Sequence, residues 1–152
     1  MVGYPEEIPE PQVNLLLANN IFAFNTGPGV GDPTGLYLGT GVKVTEHNNL
    51  YFSREDGEIT AEFLGTDITR QELANGSWAD RTGQGQGNLV DDPLFVSGWP
   101  QVDLHFQPAS PAIDAGDNAS CPAEDYLGNP RPMDGDNDGD TTCDLGAYEK
   151  QE

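Results

Sequence analysis

The chain has 152 residues and a mass of 16.3 kDa, enough for one domain with a core of its own. Its 6 basic and 26 acidic residues give a formal charge of −20. That field repels nucleic acid, anionic membrane and polyanionic ligands, and draws cations. Apolar residues make up 36%, but counting the 19 glycines and omitting the 5 tyrosines raises the share to roughly 45%. That is a globular composition, so disorder of the whole chain is excluded.

Residues 1–12 carry Pro5, Pro9 and Pro11 among three glutamates and read as an extended, non-helical lead-in. The start, Met1-Val2-Gly3-Tyr4, has neither a basic head nor an apolar run, and no segment is long and apolar enough to insert into a membrane. If the protein is secreted, the chain therefore begins after processing or is part of something longer.

From residue 13 onward, short apolar runs alternate with Asn and Gly punctuation. Val13-Asn14-Leu15-Leu16-Leu17-Ala18, Gly35-Leu36-Tyr37-Leu38 and Asn49-Leu50-Tyr51-Phe52 have strand length and turn-forming flanks. Asn19-Asn20-Ile21-Phe22 returns 29 residues later as Asn48-Asn49-Leu50-Tyr51, and Asn88-Leu89-Val90 follows. Such a period marks stacked coils, each burying its apolar face only against its neighbours. Parallel stacking would set each Asn above the next, so that side-chain amides bond along the stack. The competing reading is an Asn/Gly-rich β-sandwich in which the recurrence is chance. Asp67 to Gly76 offers an acidic N-cap, one or two helical turns and a Gly stop. Gly83 to Asn88 is a flexible turn.

The last forty residues hold most of the chemistry. Asp134-x-Asp136-x-Asp138-Gly139 opens like a calcium loop, with Gly permitting the sharp turn. Where such a loop closes on a bidentate Glu, this chain has Leu145, and Asp144 is the nearest substitute. The expected ligands are the side chains of Asp134, Asp136, Asp138 and Asp144, with Asp140 contributing through side chain or backbone, and structural Ca2+ as the cofactor. Cys121 and Cys143 flank this loop; a disulfide between them would contribute roughly 3 kcal/mol, and two structural thiols are the alternative. A disulfide implies an oxidising compartment. Arg131, one basic residue among nine acidic ones from 114 to 144, reads as a structural partner of acids such as Asp125 rather than a catalytic group.

Two tail segments carry a family likeness. Gly87-Asn88-Leu89-Val90-Asp91-Asp92-Pro93-Leu94-Phe95 through Ser110-Pro111-Ala112-Ile113-Asp114-Ala115-Gly116 is one, and Leu127-Gly128-Asn129-Pro130-Arg131 through Leu145-Gly146-Ala147-Tyr148-Glu149 is the other. Both resemble the C-terminal part of bacterial right-handed parallel β-helix proteins, the pectate-lyase-like secreted and surface proteins. The resemblance is specific over 87–149 and generic over 13–86. It implies an all-β fold, a short right-handed parallel β-helix (solenoid) with one inserted helix, and a secreted, periplasmic or cell-surface location. The expected organisation is a Pro-rich lead-in (1–12), coils (13–112) and an acidic, disulfide-closed cap (113–152). An open first coil would expose strand edges and favour self-association through the N-terminal end.

Activity follows less directly, because this architecture serves lyases, hydrolases, adhesins and stalks alike. Lyase chemistry on a uronate is disfavoured: Lys43, Arg54, Arg70 and Arg81 are scattered and the net charge repels the substrate. No acidic pair stands out by spacing for glycoside hydrolysis. His47 and His105 lack metal-spaced neighbours and read as structural. Tyr37, Tyr51, Trp78 and Trp99 could stack on neutral carbohydrate or pack in the core. The reading is a calcium-stabilised, non-catalytic extracellular module that binds neutral polysaccharide or caps a larger surface protein; the alternative is a glycan-active enzyme.

Overall fold

The computed structural model describes residues 13–23, 36–38, 42–52, 59–63, 66–78, 85–98 and 101–151. The Pro-rich lead-in, Arg54, Arg81, Trp99 and the side chain of Tyr37 lie outside what is described. The chain is mostly strand with one short helix, in this order: β1 (Val13–Ala18), β2 (Ile21–Ala23), β3 (Leu36–Leu38), β4 (Val42–His47), β5 (Leu50–Phe52), β6 (Ile59–Phe63), β7 (Thr66–Thr69), α1 (Arg70–Ala74), β8 (Leu89–Val90), β9 (Phe95–Ser97) and β10 (Asp103–Phe106).

Three short sheets contain parallel pairs. β1 lies on β4 with Val13 opposite Val42 and Ala18 opposite His47. β2, β5 and β8 stack in that order, aligning Ile21, Leu50 and Leu89. β3 lies parallel to β6, and β7 then turns back antiparallel on β6. A parallel bridge from His47 to Gln86 extends the first pair toward a third level. The first two levels are offset by 29 residues, the spacing of the Asn repeat.

The repeat explains why these strands stay in register. Between β1 and β2, and again between β4 and β5, the chain turns a corner through a residue in the left-handed region, Asn19 (φ 60°) and Asn48 (φ 47°). Asn tolerates that conformation better than most residues. At the third level Gly87 (φ 72°) takes the position, and a Cβ there would sit 2.8 Å from the Asn48 side chain. The next residue at each level builds a ladder. Asn20 N–H donates to Asn49 Oδ1 (3.0 Å), and Asn49 N–H donates to Asn88 Oδ1 (2.8 Å). Asn49, fully buried, also donates from Nδ2 to Leu17 and His47 carbonyls and to Glu46 Oε1. The ladder ends on Glu46, whose Oε1 also receives Tyr51 Oη and Asn88 Nδ2, each at 2.6 Å.

The β2-β5-β8 sheet buries both faces, as the period of two along a strand allows. Tyr51 packs with Ile68, Leu73 and Trp78, joined by Phe22 and Val90. Leu50 faces the other way, into Phe106, Ala112 and Leu145, joined by Ile21 and Leu89. That second cluster belongs to the tail, which therefore lies along the side of the stacked strands. Asn19 Nδ2 donates to Asp117 C=O and Asn48 Nδ2 to Ala115 C=O, so the tail reads successive levels of the corner column. It also adds a member to that column. Gly146 (φ 85°) donates its N–H to Asn19 C=O at 2.7 Å, as Asn19 N–H donates to Asn48 C=O at 2.8 Å.

α1 starts two residues later than its sequence suggests. Asp67 is exposed in β7, and Thr69 is the N-cap, forming a capping box with Glu72. The reciprocal bonds, Thr69 N to Glu72 Oε2 (3.0 Å) and Glu72 N to Thr69 Oγ1 (3.3 Å), outweigh a lone acidic cap. The tail is closed by the Cys121–Cys143 disulfide, which spans 22 residues.

Candidate functional site

The acidic loop is organised by its own backbone. Asp134 accepts the N–H of Asp138 on Oδ1 (3.1 Å) and of Gly139 on Oδ2 (3.0 Å). Asp136 accepts Asp138 N–H (3.0 Å), and Asp138 accepts Asp140 N–H (2.8 Å). Asn137 (φ 65°) and Gly139 (φ 101°) supply the left-handed turns, and an antiparallel bridge from Met133 to Thr142 closes the base. The Asp134, Asp136 and Asp138 carboxylates are thereby tied to the loop's own N–H groups, although Asp136 and Asp138 remain exposed.

Asp114 reaches the loop from twenty residues upstream. Its backbone is left-handed (φ 53°), and its Oδ2 accepts Asp136 N–H at 2.9 Å. Its Oδ1 is buried and has no hydrogen-bond partner. One oxygen from each of Asp114, Asp134 and Asp136 lies within 4.8 Å of the other two, the one such acidic grouping among the described residues. Burial is the main force raising the Asp114 carboxyl above its ordinary range; the Asp136 N–H bond and the N–H groups of Gly135 and Thr142 nearby oppose it, and the charge of Asp136 adds to it. An all-oxygen set of this kind suits a hard cation such as calcium and lacks the nitrogen or sulfur donors that zinc prefers.

Of the five residues expected as ligands, the structure brings together Asp134 and Asp136. Asp138 and Asp140 are exposed and stand outside the grouping. Asp144 is buried and occupied: Oδ1 accepts Asp114 N–H (2.8 Å) and Oδ2 accepts Lys150 N–H (2.6 Å). Burial pushes its carboxyl up to about 6 despite those two bonds, aided by the nearby charges of Glu149 and Asp114. Asp144 thus holds Asp114 from behind. The sequence hides Asp114 because no local spacing connects it to the loop.

The other buried tail acids, Asp125 and Glu149, are held in structural bonds. Arg131 Nε pairs with Glu149 Oε2 at 2.7 Å, with both side chains almost wholly buried. Its Nη1 donates to Gly146 C=O (3.1 Å) and its Nη2 to Asp144 C=O. Glu149 also accepts Met133 and Asp144 N–H, and its own N–H goes to Asp125 Oδ2. Asp125 further accepts Leu127 N–H, Asn129 N–H and Asn129 Nδ2, pinning the 125–129 turn. Arg131 is the structural partner its isolation suggests, but its ion pair is to Glu149. With their oxygens saturated by donors, Asp125 and Glu149 are poorly placed to exchange a proton with a substrate.

The aromatic expectations divide. Tyr51 (2% exposed) and Trp78 (5%) belong to the core and offer no sugar face. Burial first, then the Glu46 charge, drives the Tyr51 hydroxyl far above its usual range. His47 lies beside Asn48 Oδ1 (3.2 Å) at the corner, as expected of a structural residue. His105 is exposed, with Nδ1 2.6 Å from Asp103 Oδ1, and its ring lies against Tyr148.

No family model, curated protein or solved structure matches this chain. Among the described residues, no helix is long and apolar enough to cross a membrane.

Proposed function

We propose that this chain is a non-catalytic extracellular module, a short right-handed parallel β-helix stabilised by calcium and presenting a surface for neutral carbohydrate. The 29-residue register and the Asn ladder support the coil, extending the likeness to pectate-lyase-like β-helix proteins read from residues 87–149. The disulfide fits secretion into the periplasm or to the cell surface. Saturation of the buried tail acids favours a binding or capping role over glycan hydrolysis.

The observation that carries the calcium half is the buried, unpartnered Oδ1 of Asp114 beside Asp134 and Asp136. A calcium ion would satisfy that oxygen and relieve repulsion among the three carboxylates. It would also clamp residue 114 to the loop, tying two separate stretches of the tail together. Calorimetric titration of the whole chain with calcium tests this. Binding should be lost or weakened at least about tenfold in Asp114→Asn and Asp134→Asn, and left nearly unchanged in Asp140→Asn. Chelator should lower Tm and calcium restore it. Absence of any calcium-dependent heat or Tm shift refutes the metal reading.

A further inference from the structure

Tyr148 has little to do in the core, yet it is the meeting point of two cavities. One, of about 400 Å³, runs from Phe22 past Phe106 to one side of Tyr148. The other, of about 230 Å³, lies between His105, Asn129, Lys150 and Gln151, with Tyr148 as its wall. The His105 ring stands 4.5 Å from Tyr148, tilted by 46°, and Tyr126 stands 5.9 Å away at 59°. Tyr126 is 77% exposed, although a ring of that size gains from burial.

The geometry points to a binding site for a neutral oligosaccharide in the cleft lined by Tyr148 and His105, with Asn129, Lys150 and Gln151 as its polar wall and the exposed Tyr126 ring extending it beside Tyr148. This rests on the carbohydrate-binding half of the function proposed above and gives it a location.

Three considerations select the ligand class. Sugar rings present C–H faces that pack on aromatic surfaces and hydroxyls that need donors and acceptors around them. The wall supplies both. Asn129 uses Nδ2 on Asp125 and keeps its carbonyl oxygen; Gln151 uses Nε2 on Glu149 C=O and keeps its own. Lys150 makes one bond, to Gln151 C=O, and retains two ammonium protons. Charge removes the other ligands: a net −20 disfavours uronates and phosphates, and the ammonium of Lys150 in the wall disfavours cations. The platform is also held in advance. Tyr126 N–H bonds Ala147 C=O at 2.8 Å, and Asp125 fixes the turn carrying Tyr126, so little order has to be created on binding.

The test is isothermal calorimetry of the full chain, calcium present, against cellohexaose, xylohexaose and mannohexaose. At least one should bind, and Tyr148→Ala and Tyr126→Ala should each weaken that binding at least about tenfold. Tyr126 is exposed, so its variant should keep the wild-type Tm and answers the case in which Tyr148→Ala misfolds. A hexaose that binds both variants as well as wild type overturns the site while sparing the carbohydrate reading. Binding of none of the three overturns both.

Discussion

At the scale of single residues, the tail's acids divide by what burial and hydrogen bonding do to each. Desolvation pushes the Asp125 carboxyl up, but the Asn129 side chain and the N–H groups of Asn129, Glu149 and Leu127 more than offset it, and the group ends below its ordinary 3.8. A depressed folded value means stability that is present above the unfolded value and lost as pH falls through the folded one. Asp144 has the opposite sign: raised from 3.8 to about 6, its contribution is complete below 3.8 and disappears as pH rises to about 6. The two slopes must therefore be separated by difference. In thermal melts of wild type and Asp125→Asn from pH 3 to 7, wild type should be more stable at neutral pH by about 1–3 kcal/mol. That gap should narrow as pH falls below 3.8, while the Asp144 slope, common to both proteins, cancels. A gap that widens on acidification contradicts the assignment.

At the scale of elements, register is carried by the Asn ladder more than by strand length, since β2, β5 and β8 have only three, three and two residues. Asn49 joins three levels through its backbone and side chain, and its amide is fully buried. Asn49→Ala leaves Asn20 N–H and the Leu17 and His47 carbonyls without this partner, at a cost of about 2–4 kcal/mol. Asn14→Ala, on the exposed face of β1, should stay within about 0.5 kcal/mol, and urea unfolding compares the two. This ladder was legible in the sequence because identical residues must recur at the 29-residue offset of the paired strands for their amides to meet. The acidic triad was half legible. Asp134 and Asp136 are neighbours in sequence, whereas Asp114 joins them through the fold, and Asp144, which looks like a ligand by spacing, spends both oxygens on backbone N–H groups. Tyr51 and Trp78 look like a sugar face by type, yet Tyr51 points from β5 into the cluster that Trp78, just after α1, closes, and both lie in the core. The exposed platform comes from residues 105, 126 and 148, which only the folded tail brings together.

At the scale of the whole molecule, the open side of the first level decides whether copies meet. Among the described residues, β1 pairs only with β4 and β2 only with β5, leaving the opposite edges of the first level without a partner strand. The corner between them is covered, because Gly146 takes the bond to Asn19 C=O that a further level would make. Of the two edges, β1 is the longer at six residues and bears Leu16 at 55% exposure, so association between copies is expected along it. Each copy brings a charge of −20, so contact is opposed at low ionic strength and should strengthen as salt shortens the Debye length from about 10 Å at 0.1 M toward 3 Å at 1 M. Sedimentation velocity across that range should show a dimer that grows with salt and with protein concentration. Leu16→Glu adds charge and removes apolar surface on the same strand, and should return the protein to monomer without changing Tm. A dimer indifferent to Leu16→Glu would place the contact elsewhere, and a monomer at every salt and concentration would refute association through this end of the chain.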